Sequence, residues 1–235
     1  MDSTIWMNKI TGVTFVALSL CLMISCATQK KYSQQWYFDS LEGWDFDHQD
    51  DNPLNQLEVE NGILKIFTRA HSRDRKKIRT AEKKYTSGRY TWKTYIPVMG
   101  TRDQASVGSW IYADDRHELD FEVGHGKEAE RKKVNAASDE MLVYMTSQAF
   151  PFSSRVVAVK PGWHIFEIDL TLRDDRYFVT WWIDEVKHHE LQLEYGAEIS
   201  FYIYCSVENL KFIGDHIPKQ QNYGLFEYVN YQYHR

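Results

Sequence analysis

The sequence predicts an all-β protein, a sandwich or barrel of short antiparallel strands. Three observations carry that expectation. Apolar and polar residues alternate with period two through much of the chain. Turn-forming pairs such as Asn61-Gly62 separate the alternating runs. Aromatic residues reach 15%, and such side chains favour pleated, half-buried surfaces. No convincing amphipathic helical pattern competes with these signals.

Strands are expected, in order, over 62–68, 89–96, 109–112, 118–123, 141–146, 164–170, 177–183 and 200–204. The first follows Asn61-Gly62, a strong hairpin pair. The second follows Ser87-Gly88 and places Tyr90, Trp92 and Ile96 on one face before Pro97. The third is the short aromatic run Ser109-Trp110-Ile111-Tyr112. The fourth alternates acids with Leu119, Phe121 and Val123. The fifth runs from Met141 to Thr146 and is mostly apolar. The sixth follows Pro161-Gly162 and alternates Phe166, Ile168 and Leu170 with Glu167 and Asp169. The seventh lies across the turn Arg173-Asp174-Asp175 and carries Tyr177, Val179, Trp181 and Ile183 on one face. The last is aromatic and leads into Cys205.

The chain has 235 residues, with 43% apolar and 26% charged. That balance excludes wholesale disorder. The formal net charge of −5 excludes a whole-chain polycation built for nucleic acid. Glycine (12) and proline (5) are too few for a fibrous or low-complexity chain. No repeat or linker divides the sequence after residue 35, so one domain is expected over 36–235. Charge is segregated, however. Residues 39–60 hold eight acids and no Lys or Arg, and residues 69–84 hold eight Lys or Arg against Asp74 and Glu82. The plain reading is a solvated basic hairpin balanced by an acidic loop. The sharper one is a basic rim for an anionic polymer.

Residues 10–25 form a mostly apolar run of sixteen, preceded by Lys9. This is short for a membrane span, which needs about 20 residues, and suits the core of a secretory signal. The run ends Met23-Ile24-Ser25-Cys26. Small or apolar residues before a cysteine resemble a bacterial lipoprotein cleavage box. A signal over 1–25, lipidation of Cys26 and a polar tether over 26–35 are therefore expected, with ordinary secretion as the alternative. Localisation would be the bacterial cell envelope, with the membrane reached through the lipid. Cys21 would leave with the signal, so Cys205 has no partner and is expected to be a small buried hydrophobe.

The segment with chemical content is His117-Glu118-Leu119-Asp120-Phe121-Glu122-Val123-Gly124. On a strand, Glu118, Asp120 and Glu122 share one face and Leu119 and Phe121 the other. Three acids on one face repel one another, so stability alone gives little reason to stack them. Glu118 and Glu122 have Cα atoms about 13 Å apart at roughly 3.3 Å per residue. Two Glu side chains leaning together could reach a carboxyl separation of roughly 5–5.5 Å, the spacing used for retaining glycoside cleavage. Crowding should raise at least one pKa and leave one acid and one anion at working pH. Acid-x-acid also occurs at Glu58/Glu60 and Glu167/Asp169, so a solvated strand face is the alternative.

Glu118-Leu119-Asp120-Phe121-Glu122 resembles the Glu-x-Asp-x-Glu signature of glycoside hydrolase family 16. The flanks agree in order: Tyr85 to Pro97, Gly108 to Tyr112, Gly162 to Ile168 with Phe178 to Asp184, and Leu225 to Tyr231. The resemblance implies a concanavalin-like jelly roll of two curved antiparallel sheets with a sugar cleft. It implies Glu118 as nucleophile, Glu122 as general acid/base and Asp120 as helper, and it favours the regular-strand branch over the bulged one. By position it also implies sugar contacts at Arg79, Trp110, Tyr112, Asn135 and Tyr204. Each has a structural alternative: Arg79 as one member of the basic run, Trp110 and Tyr112 as core aromatics, Asn135 as a loop amide, Tyr204 as a packed sheet aromatic. Arg116, Ala136-Ala137, Asp184-Glu185 and Glu227 depart from the family pattern. These put the usual glucan substrates in doubt more than the chemistry.

No Cys-x-x-Cys and no phosphate-binding glycine loop is present. His188-His189 would face opposite ways on a strand and make a poor metal pair. The expected activity is an endo-acting β-glycanase. A transglycosylase with the same acids and a non-catalytic glycan-binding lipoprotein are the alternatives. No cofactor is expected to be required; a structural calcium is conceivable but unsupported by these residues. A polysaccharide partner, no nucleic acid and a monomer are expected.

Overall fold

The computed structural model describes residues 33–234. In chain order the strands are β1 (Gln34–Tyr37), β2 (Trp44–His48), β3 (Leu57–Glu60), β4 (Ile63–Thr68), β5 (Arg75–Thr80), β6 (Gly88–Ile96), β7 (Ala105–Asp114), β8 (His117–Gly124), β9 (Met141–Ser147), β10 (Ser153–Val159), β11 (Gly162–Arg173), β12 (Arg176–Ile183), β13 (Val186–Gln192), β14 (Tyr202–Asn209) and β15 (Asn222–Tyr233). One six-residue helix, α1 (Glu128–Lys133), lies between β8 and β9. Cys26, expected to be lipidated, and the expected signal over 1–25 lie outside the described residues. Gln34 and Gln35, within the expected tether, pair with Tyr231 and Asn230 as part of β1.

The strands form two antiparallel sheets. One runs β13-β12-β11-β6-β15-β4-β3, with β1 sharing an edge of β15, and the other runs β10-β9-β8-β7-β14-β5-β2. Alternation decides which side chains meet between them. Leu119 and Phe121 of β8, Ile111 of β7 and Ile203 and Cys205 of β14 are fully buried against Phe166, Ile168, Trp92 and Trp181 of the other sheet. Phe121 and Phe166 meet at 5.1 Å between ring centroids. A fully buried Phe or Leu side chain contributes roughly 1.5–3 kcal/mol over an exposed one. The expectation for Cys205 holds: it is a free, fully buried thiol, and burial pushes its pKa up.

Local chemistry explains the hairpins. Asn61 and Gly62 take φ of 52° and 75° between β3 and β4, the left-handed pair that a two-residue hairpin needs. Asp184-Glu185, where the family pattern has Asp-Gly, makes the same turn with φ of 48° and 67°. The glycine is replaced at a cost of about 1 kcal/mol. Asp184 offsets it by accepting the Ile165 amide at 2.8 Å and engaging His164 Nδ1 at 2.7 Å.

Two expectations about elements are corrected. Residues 69–84 are not a solvated hairpin: Arg75–Thr80 is an interior strand, and Lys76 and Lys77 are 0% and 1% exposed. The final expected strand, 200–204, runs instead from Tyr202 to Asn209. In both cases charged or polar side chains alternate with apolar ones inside the sheet, and their partners lie on strands distant in sequence.

Candidate active site

β8 sits inside its sheet with β7 on one side and β9 on the other. The pairing with β9 is regular from Leu119 to Gly124, and that with β7 from Tyr112 to Val107. No bulge interrupts the acids, so Glu118, Asp120 and Glu122 all face away from the intersheet core. The β7–β8 turn is held by Asp114, whose Oδ1 accepts the amides of Arg116 and His117 at 3.0 and 3.2 Å. From across the sandwich, Trp181 Nε1 donates to the Asp120 carbonyl at 3.2 Å and Trp92 Nε1 to the Tyr204 carbonyl at 3.0 Å. Two core indoles thus tie the site strands to the second sheet.

The cross-strand neighbours of the acids are Tyr112, Trp110 and Gly108 on β7 and Thr146 and Tyr144 on β9. Gly108 stands opposite Glu122. A Cβ at Gly108 would lie 2.2 Å from Ser206 Oγ and 2.9 Å from Glu122 Oε1, so only glycine leaves room for that carboxyl. Ser106 Oγ donates to Glu122 Oε2, and Gln148 Nε2 donates to Asp120 Oδ2 at 3.1 Å. Among the described residues neither carboxyl makes an ion pair. Asp120 and Glu122 are 2% and 7% exposed.

That burial sets the protonation. Desolvation pushes Glu122 up to about 8, with repulsion from Glu208 and Glu118 adding to it and the Ser106 hydrogen bond opposing. Desolvation also raises Glu118, to about 7, against the opposing effect of a hydrogen bond with Asp120. Asp120 is held well above the carboxylate range by burial first, then by repulsion from Glu118 and Glu122. Burial thus favours the protonated form of all three carboxyls.

The acids open into a cleft of 310 Å³. Its far side is built from β14 and β5, where a second set of charges is buried. Lys77 Nζ lies 2.9 Å from Glu208 Oε1 and 3.0 Å from Gln49 Oε1, and Arg75 Nε lies 2.5 Å from Glu208 Oε2. Lys77, Glu208, Gln49, Ser106, Gly108 and Gln148 were not anticipated from the sequence. The alternation of Arg75, Lys77 and Arg79 about Lys76 and Ile78 was the available signal, masked by their uniform charge. Leu210 of the cleft lining belongs to a small apolar cluster with Leu142, Tyr144 and Ile213, packed with Val134 and Ala136.

The residues that the resemblance matched are placed as follows. Trp110 and Tyr112 do face the cleft, opposite Asp120 and Glu118. Trp110, however, is stacked on Tyr204 at 3.9 Å and 11°, with Lys77 Nζ 5.2 Å from its ring, and is only 6% exposed. Trp110 and Tyr204 therefore form a covered floor and offer little free face for a sugar. Tyr112 stands edge-on to both and donates to Asp115 Oδ1 at 2.8 Å. Arg79 stacks over Tyr202 at 4.3 Å and stands opposite Tyr204 of the cleft, without itself lining the cleft that holds the acids. Asn135 is a correction. It occupies the turn after α1 with φ 52° and lines a separate hollow with His125 and Arg131. The strand beside the acids is β9, which presents Thr146 and Tyr144 opposite Asp120 and Glu122. Glu227 lies at a bulge in the other sheet and pairs with Lys93 at 2.7 Å. No cluster of three or more His, Cys, Asp or Glu able to hold a metal occurs among the described residues.

Comparison of the sequence with protein-family models and with curated proteins finds no match. Comparison of the fold does. The β-glucanase of Bacillus licheniformis superposes with a TM-score of 0.62 at 13% identity, covering 88% of this chain and 100% of that one. The catalytic domain of an endo-1,3-β-glucanase (laminarinase) from Thermotoga petrophila gives 0.61 at 14% identity, covering 87% and 100%. The Crh5 transglycosylase in complex with NAG gives 0.63 at 15% identity, covering 86% and 84%. The chain therefore has an all-β jelly-roll fold like that of family 16 β-glucanases.

Proposed function

We propose that the chain cleaves β-glycosidic bonds within a polysaccharide by a retaining double displacement. The observation that supports this most is the row Glu118, Asp120, Glu122, uninterrupted on one strand face, free of cation contacts and raised in pKa inside a cleft. In this reading the Glu118 carboxylate attacks the anomeric carbon as the glycosidic C–O bond breaks. Glu122 gives its proton to the departing oxygen. Water then attacks the same carbon, returns a proton to Glu122 and releases Glu118. Asp120 positions Glu118 and favours its anion by hydrogen bonding. In this proposal the domain is held on the bacterial envelope through lipidated Cys26, a reading supported by the apolar run over 10–25 and the cysteine that follows it.

The test is reducing-end release from mixed-linkage glucan, xyloglucan, laminarin, agar and carrageenan, with the whole chain and Glu118→Gln in parallel. Release that disappears in the variant supports the assignment, and release that persists overturns it. An acceptor oligosaccharide included in one arm separates hydrolysis from transglycosylation. A non-catalytic glycan binder is the second reading. It is favoured by the mutual cover of Trp110 and Tyr204, and binding without release would select it.

A further inference from the structure

Beside the cleft lies a larger open hollow of 1170 Å³, reached past Gln49, Arg75, Leu210 and Phe212, which line both. Its charges sort into two kinds. Some are satisfied within the fold. Arg69 forks onto Asp74 at 2.8 and 3.0 Å, Lys76 reaches Asp50 at 3.0 Å, and Arg75 holds Glu208. Asp74 is further fixed by Gln56 at 2.8 Å. The rest are Arg73 and Lys211, both exposed, and the acid Asp51, with no ion-pair partner among the described residues. The uncommitted charge is thus two cations against one anion. Next to them Phe212 is 51% exposed, although its ring meets Tyr144 edge-on at 6.0 Å. An exposed aromatic face beside free cations, on the path out of an acid-lined cleft, fits a sugar that carries negative charge.

We propose that this hollow is a subsite for an anionic sugar residue of a glycan threaded from the cleft, with Phe212 against the sugar face and Arg73 and Lys211 against its sulfate ester or uronate carboxylate. The inference rests on the reading of the cleft as a glycan site and adds the substrate class. Direct binding tests it. Glu118→Gln, made on the whole chain so that ligand is not consumed, is titrated with sulfated, uronate-containing and neutral oligosaccharides of equal length. The account expects an anionic ligand to bind at least tenfold more tightly than its neutral counterpart. It expects Arg73→Ala/Lys211→Ala to reduce that ratio at least tenfold, and Asp51→Asn to increase it. The sulfated and uronate arms identify which anion is taken. Equal affinity for anionic and neutral ligands, or an undiminished ratio in the double variant, overturns the proposal. The two readings fail separately. Cleavage of neutral glycan that needs Glu118, without anionic preference, removes the subsite and keeps the catalyst. Anion-selective binding lost in the double variant, without any cleavage, does the reverse.

Discussion

Strands β8 and β5 bury charge in the same sheet, two strands apart across β7 and β14, and they handle it in opposite ways. On β5 each buried cation meets an acid: Lys76 meets Asp50 and Lys77 meets Glu208. The acid-rich 39–60 segment lies alongside, with Asp45 opposite Arg79 and Asp47 opposite Lys77. On β8 the three acids make no ion pair among the described residues: Ser106 and Gln148 donate to two of them, and Tyr112, Trp110, Gly108, Thr146 and Tyr144 stand opposite. Compensated charge holds a fold together once its partners are in place. Uncompensated carboxyls instead take up protons, and proton-holding carboxyls in a cleft are suited to acid–base work. Of the two, β8 is where function is to be sought.

The contrast can be broken from either side. The largest effect is expected for Glu118→Gln, which should lower glycan cleavage on the order of 10⁴-fold while the thermal transition stays cooperative. Lys77→Met attacks β5. It strips Glu208 of one buried partner and should lower unfolding free energy by about 3 kcal/mol in urea titrations, with Lys77→Met/Glu208→Met recovering more than half of the loss.

The pH dependence sharpens the difference. Glu118 and Glu122 have folded-state pKa values above their unfolded ones, so the folded chain binds more protons. Their contribution to stability is complete below about pH 4.5 and is lost as pH rises through 7 to 8. Glu122→Gln should therefore match the wild type near pH 5 and exceed it by on the order of 2 kcal/mol near pH 9, measured by denaturant unfolding at the two values. Gly108→Ala, which pushes on Glu122 and Ser206, should reduce cleavage by about tenfold with a smaller change in stability. Asn135→Ala, out in the α1 turn, should leave the cleavage rate unchanged.

What was legible in the sequence follows the same division. Strands whose outward faces are solvated or whose whole length is apolar, such as β4, β6, β9 and β12, could be read from alternation and turns. The acid face of β8 was legible too, because period two alone places Glu118, Asp120 and Glu122 together. β5 and the second half of β14 were not. Their buried Lys77, Ser206 and Glu208 look solvent-facing until partners from residues 45–50 and 106–122 are brought alongside. Asn135 failed for a related reason. The family pattern implies a strand after Val134, whereas Arg131 donates to the carbonyls of His125, Ala137 and Glu140 and shapes the segment as a helix and turn.

The most direct test of the central claim, that burial and mutual repulsion keep the β8 carboxyls protonated around neutral pH, is a difference infrared titration. The protonated carboxyl stretch of the wild type is compared with that of Glu118→Gln/Glu122→Gln between pH 5 and pH 9. The account predicts a carboxyl signal that persists above pH 6, fades between about 7 and 8, and shrinks in the double variant. A wild type whose carboxyls are all ionised by pH 5.5 would contradict it.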